Sequence, residues 1–154
     1  MIRLEPMSEA EYRVYLEKLI LEYAAEKVRA GNWTEAESLE RSRLETEGLL
    51  PQGVQTPGNF IHKLLNENGE TVGILWYARR EKPPETIFIY DFEIHESFRR
   101  RGYASQALLA LEQQVRPQGI KKLELHVFGS NVAARELYKK SGFIETNVQM
   151  AKEI

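Results

Sequence analysis

The stretch TIFIYDFEIHESFRRRGYASQALLALEQQV, Thr86 to Val115, carries two different periodicities on either side of three consecutive arginines. Up to His95 it is apolar on both faces of an extended chain, as in a central strand covered on both sides. From Tyr103 onward Ala104, Ala107, Leu108, Leu111 and Val115 recur at helical spacing, so one face of a helix packs on a sheet. Pro117 and Gly119 stop that helix. A strand that passes through Arg99, Arg100, Arg101 and Gly102 into a helix suits phosphate, because the first amides of a helix have no partner within it. Gly102 lets a bulky anion reach the backbone, and Ala104 keeps the first turn small. Guanidinium groups on the rim add charge-assisted hydrogen bonds.

Before this unit, residues 2–5 predict a short strand. Ser8 with Glu11, and Thr34 with Glu37, are spaced as capping boxes for two helices. The first helix shows an apolar stripe of Tyr12, Tyr15, Leu16, Leu19, Ile20 and Tyr23, and Gly31 ends it; the second reaches about Glu47. LLPQGVQTPGN then breaks regular structure, and FIHKLLN and TVGILWYARRE flank a hairpin turn at Asn68-Gly69. After the central unit, KKLELHVF reads as a strand and NVAARELYKKSGF as a helix closed by Gly142. FIETNVQMAKEI supplies one or two last strands.

The bulk properties narrow the function. A chain of 154 residues suits one domain with a real core. With 21 basic and 23 acidic side chains there is no global positive field to hold a nucleic acid. The absence of cysteine excludes disulfides, a thiolate nucleophile and thiolate-ligated zinc. His62, His95 and His126 are too dispersed for a helical two-histidine metal motif, so no metal is expected. There is no apolar signal core and no apolar run of roughly 18 residues. A soluble, cytoplasmic protein without membrane partners is the expectation.

Two motifs carry a resemblance. RRRGYA, Arg99 to Ala104, resembles the pyrophosphate signature of the GNAT acyltransferase superfamily: Arg or Gln, two residues, Gly, one residue, then Gly or Ala. NVAARELYKKSGF, Asn131 to Phe143, is similar to a second signature of that family and lies at its expected distance. The resemblance implies an α/β (α+β) fold: one domain over residues 1–154, with a mixed, mostly antiparallel sheet of six to seven strands and about four helices. It also implies acetyl-CoA as co-substrate. The strand from Thr86 to Ile94 would pair with the pantetheine arm where the sheet splays open. Backbone amides of Arg100, Arg101, Gly102, Tyr103, Ala104 and Ser105 would hold the pyrophosphate, with Arg99 on the rim. Asn131 would lie near the pantetheine and Tyr138 near the sulfur. Exposed C-terminal strands in similar proteins mediate dimers, so a homodimer is a further expectation.

The chemistry has its own demands. An amine with a pKa of about 10 is protonated at neutral pH, so acyl transfer needs a proton acceptor. Period-two alternation puts Ile87, Ile89, Asp91, Glu93 and His95 on one strand face and Phe88, Tyr90, Phe92 and Ile94 on the other. Acids on a covered strand suggest a cleft, and partial burial gives a carboxylate the raised pKa a base needs. Glu93 is the preferred base, with Asp91 and His126 as alternatives. A purely structural role for both acids is the competing reading. Tyr138 is the candidate general acid toward the departing thiolate, although an aromatic there also suits packing. The amide of Ile94 is the candidate to polarise the carbonyl. Without cysteine, direct attack on a bound thioester is the simpler route. The reading is therefore an N-acetyltransferase acting on a primary amine of a small molecule or peptide. A non-catalytic acyl-CoA-binding sensor is the alternative. Substrate choice falls to residues 8–58 and the loop REKPPET, where Glu17, Glu22, Glu26, Glu35, Glu37 and Glu47 hint at a cationic amine.

Overall fold

Ser8 and Thr34 each close a reciprocal capping box, their side chains accepting from Glu11 N and Glu37 N while those glutamates accept from the cap amides. They start the two helices that open the chain, α1 (Glu9–Arg29) and α2 (Glu35–Leu49), which follow the short strand β1 (Arg3–Pro6). In the computed structural model, which describes residues 1–154, five more elements precede the last helix. These are β2 (Asn59–Leu65), β3 (Thr71–Arg79), β4 (Thr86–Ile94), α3 (Tyr103–Val115) and β5 (Lys122–Leu125); α4 (Val132–Lys140) follows. The α1–α2 seam is made of small side chains. Ser38, Ser42 and Thr46 are buried at four-residue intervals along α2, and the Ser42 hydroxyl donates to the Ile20 carbonyl at 2.7 Å. Such residues let the two backbones approach closely.

The sheet has the order β1-β2-β3-β4-β5, antiparallel except for the last pair, which is parallel. The β2–β3 hairpin turns where the Asn-Gly pair predicts, with Gly69 at φ 80° and the Asn66 side chain accepting from the amides of Asn68 and Glu70. On one face Leu64, Leu75, Tyr77, Ile87 and Ile89 pack against Ala107, Leu108, Leu111 and Val115 of α3. On the other, Ile61, Ile74 and Trp76 meet Tyr12 and Tyr15 of α1.

Two expectations need correction. The sheet has five strands, not six to seven: FIETNVQMAKEI forms none, because a strand needs a ladder partner and residues 144–154 are exposed and make no backbone hydrogen bond. KKLELHVF is likewise a strand only over Lys122–Leu125. The simple alternation along β4 also fails. Trp76 pairs with Asp91 but Tyr77 with Ile89, leaving Tyr90 as an extra residue in a β-bulge. The bulge shifts every later side chain to the opposite face. Ile87 and Ile89 point toward α3, and beyond the bulge so do Phe92 and Ile94. Asp91 and Glu93, opposite Trp76 and Ile74, turn toward α1. Tyr90 lies on that face too, stacked on Trp76 at 4.6 Å.

Gly73 sits opposite Ile94, where any side-chain carbon would be driven into the backbone carbonyl of Glu93. Gly73→Ala should therefore destabilise the fold by about 3 kcal/mol, measured by denaturant unfolding, because the β3–β4 backbones themselves must separate. A change below about 0.5 kcal/mol would mean that this approach is not tight.

Candidate active site

Pairing between β4 and β5 covers only Thr86–Ile89 with Lys122–Leu125, so beyond the bulge the outer edge of β4 is open. Its hydrogen-bonding groups can be assigned from the ladder. The His95 amide donates to the Val72 carbonyl at 2.8 Å, which makes that pair a bonded one. In an antiparallel ladder bonded pairs alternate with non-bonded ones, so Ile94 opposite Gly73 and Phe92 opposite Leu75 aim their amides and carbonyls into the gap. The Ile94 carbonyl accepts from Arg99 Nε at 3.0 Å. The Ile94 amide is left pointing into the gap, the orientation its expected role requires.

At the end of this gap the chain forms an amide-lined hollow. Gly102 caps α3 with φ 78° and Arg100 has φ 63°, two left-handed residues flanking Arg101. Alternation of this kind turns successive amides into one concavity. No backbone acceptor is bound by the amides of Arg100, Arg101 or Gly102. Those of Tyr103, Ala104 and Ser105 open the helix and have no partner within it. The three arginines part company. Arg99 turns back to Ile94 and to Glu93, 3.7 Å away. Arg101 donates to the Ser97 carbonyl at 3.2 Å and lies over Phe98. The Arg100 side chain has neither hydrogen bond nor ion pair within the protein and extends from the hollow as a free cation.

On the α1 side of β4 the two acids have different company. Glu93 lies 3.5 Å from Lys18 Nζ and 3.7 Å from Arg99. Asp91 accepts a 2.7 Å hydrogen bond from the Tyr15 hydroxyl. Burial raises Asp91 to about 6; the Tyr15 hydrogen bond pulls the other way, and the nearby charges of Glu93, Glu22 and Glu26 add to the rise. Tyr138 is pushed up to about 12, by burial first and by the Asp91 charge second. Tyr138 also packs edge-on against Phe143 at 5.5 Å, so its ring serves the core as well. His126 lies beyond the end of β5, exposed and edge-on to Phe128 at 5.0 Å. Asn131 caps α4, its side chain accepting from Ala134 N at 3.2 Å.

A cavity of about 350 Å³ opens beside Glu93, roofed by Val14, Tyr15, Lys18 and Leu19 of α1 and floored by Lys63, Ile74 and His95. Glu93 lines this space directly, and Tyr15, which also lines it, donates to Asp91 behind it. Tyr15 and Lys18 belong to this site but were not visible as functional residues in the sequence. Tyr15 was legible only as one of three tyrosines in an apolar stripe, and nothing in the sequence sets its hydroxyl apart from those of Tyr12 and Tyr23. No group of three His, Asp or Glu side chains is placed to hold a metal, and no helix is long and apolar enough to cross a membrane.

Comparison with known proteins matches residues 15–143 to the acetyltransferase (GNAT) family. Two proteins of Bacillus subtilis (strain 168) are similar over nearly their whole length. The uncharacterized N-acetyltransferase YycN is 44% identical over 154 residues, covering 99% of each chain. The uncharacterized N-acetyltransferase YdgE is 36% identical over 152 residues, covering 98% of this chain and 97% of its own. The crystal structure of YycN superposes with a TM-score of 0.94 at 42% identity, covering 100% of this chain and 99% of that one.

The raised acidity constant of Asp91 makes a stability prediction. Because its folded value lies near 6 and its ordinary value is 3.8, the folded state holds the proton more tightly. The resulting stabilisation is complete below about pH 4 and is lost as pH rises through about 6. Asp91→Asn, which can still accept from Tyr15, removes the penalty of the buried charge. It should raise the melting temperature by about 5 °C near pH 8 and leave it unchanged near pH 4. A lower melting temperature at both pH values would show that the carboxylate is a structural anchor instead.

Proposed function

We propose a specific reaction for this chain, which belongs to the acetyltransferase (GNAT) family and is an acyltransferase: acetyl transfer from acetyl-CoA to a primary amine, by direct attack on the bound thioester. The observation that carries this reading is the open edge of β4, which runs from Asp91 just beyond the bulge toward the free amides of residues 100–102. An anion of diphosphate size fits the amide hollow, with the Arg100 guanidinium as its free counter-charge. A pantetheine arm carries amides that match the exposed hydrogen-bonding groups of Phe92 and Ile94. When bound, acetyl-CoA supplies the activated acyl carbon; the protein's residues do the rest.

The Ile94 amide polarises the thioester carbonyl. Asp91, rather than Glu93, takes the proton from the incoming ammonium, because its raised value of about 6 keeps it ionised at neutral pH yet basic enough to serve. Glu93, held between Lys18 and Arg99 on the cavity wall, orients the acceptor. As the carbon–nitrogen bond forms and the carbon–sulfur bond breaks, the nitrogen releases its second proton to solvent, and Tyr138 hands its proton to the thiolate and is reprotonated from solvent. Its value of about 12 keeps it a proton donor across the working range. The carboxylates beside the cavity suit a cationic amine.

Thiol release from acetyl-CoA across an amine panel tests this. The kcat/KM should climb as pH rises through about 6, the limb on which Asp91 loses its proton. Asp91→Asn should lower it by about 10²–10⁴ and abolish that limb. Glu93→Gln should keep the limb and raise KM for the amine, and Tyr138→Phe should lower kcat roughly tenfold or more without weakening CoA binding. Calorimetric CoA binding with no turnover on any amine would point to a sensor and sink the proposal.

A further inference from the structure

The base and the space for the amine do not touch. Asp91 is not part of the wall of the cavity beside Glu93, and a single side chain spans the two. Tyr15 lines that cavity, is itself buried, and carries its hydroxyl to within 2.7 Å of Asp91 Oδ2. Another tyrosine of α1 shows what an ordinary clasp looks like. Tyr23 donates to Glu45 of α2 at 2.9 Å, across the seam between the two helices, and lines no part of the cavity.

A phenol placed as Tyr15 is can do more than clasp. Its one proton is committed to Asp91, while its oxygen accepts from no group of the protein and so keeps lone pairs for a donor that arrives from the cavity. A primary ammonium is such a donor. Glu93, which faces the same space and is held 3.5 Å from Lys18 and 3.7 Å from Arg99, is placed to fix that ammonium beside Tyr15. Burial and the Asp91 charge keep the Tyr15 proton bound well above the ordinary phenol range, so the oxygen gives up one proton only as it receives another.

We infer that Tyr15 is a proton relay: the ammonium of the acceptor donates to its hydroxyl oxygen as that hydroxyl donates to Asp91. The inference rests on the acetyl-transfer reading and supplies the path by which the first proton leaves the amine. In this step an N–H bond breaks and leaves its electron pair on nitrogen, and a new O–H bond forms on Tyr15. The original Tyr15 O–H bond breaks, and its proton ends on Asp91. Asp91 is only half-buried, so it discharges to water before the next turnover, and the Tyr15 hydroxyl swings back to donate to it again.

Tyr15→Phe tests the relay, since it removes the oxygen and keeps the ring that packs with Tyr12, Ile61 and Ile74. Thiol release is followed between about pH 5 and about pH 9 with an amine that the wild type accepts. The other titratable groups around Asp91, namely Glu93 on its own strand, Glu22 and Glu26 on α1 and Tyr138 on α4, are unchanged in this variant. A relay predicts kcat lowered about 10²-fold or more at every pH, loss of the limb near pH 6, and calorimetric CoA affinity equal to that of the wild type. A mere clasp predicts otherwise. Removing the hydrogen bond that holds the Asp91 acidity constant down would move the limb to higher pH, with wild-type rates regained above it, and that result overturns the relay. Tyr15→Phe combined with Asp91→Asn leaves no buried carboxylate without its donor, so it serves even if Tyr15→Phe folds poorly. The double variant should be no slower than Asp91→Asn alone; a loss equal to the product of the two single losses would give the residues independent roles and overturn the relay as well. A wild type that releases no thiol with any amine sinks the acetyl-transfer reading and the relay together, whereas recovery of Tyr15→Phe at high pH sinks the relay alone.

Discussion

One extra residue in β4 governs the rest of the structure. The bulge at Tyr90 lets Ile87 and Ile89 on one side of it, and Phe92 and Ile94 on the other, all serve the α3 side of the core, although an uninterrupted strand would put these pairs on opposite faces. The same residue hands Asp91 and Glu93 to the α1 side. It also lies where the β4–β5 ladder stops, since a bulge bends its strand and increases local twist. Open edge, acid placement and core continuity therefore have a common origin.

Holding a carboxylate against α1 has an electrostatic cost, and the neighbours of Asp91 only partly relieve it. One hydrogen bond from Tyr15 does not replace lost hydration, so the group binds its proton more tightly than a carboxylate in water. The contrast with Glu11 is informative. That acid, bonded to the Ser8 amide and to Lys63, is lowered to about 2 and acts as a clasp between the start of α1 and β2. Two carboxylates of one chain are thus driven in opposite directions by the number of donors they meet. Glu11 lines the cavity as a fixed clasp, whereas Asp91 meets it only through Tyr15.

Local chemistry was legible from the sequence wherever a residue acts on its immediate neighbours. The capping boxes at Ser8 and Thr34, the turn at Gly69 and the start of α3 after Gly102 all fall where spacing put them, because caps and turns depend on residues a few positions apart. The bulge was not legible: β4 is apolar on both faces, so one inserted residue leaves no mark in the alternation. The arginine run marked where the free backbone amides gather but not the division of labour among its side chains. Whether a guanidinium reaches outward or folds back onto a carbonyl depends on loop geometry that composition does not encode. Lys18 was lost among helix charges, since only tertiary packing brings it to Glu93. The final segment was legible as β-like in pattern, yet pattern alone does not provide a neighbour to pair with.

The small side chains between the first two helices also matter for selectivity. α1 roofs the cavity beside Glu93, but its height above the sheet is set from behind, by Ser38, Ser42 and Thr46 of a helix that lines none of that space. Enlarging one of these would act as a wedge, tilting the roof and carrying Tyr15 and Lys18 with it. A family built this way can retune which molecules it admits by exchanging residues that never meet them.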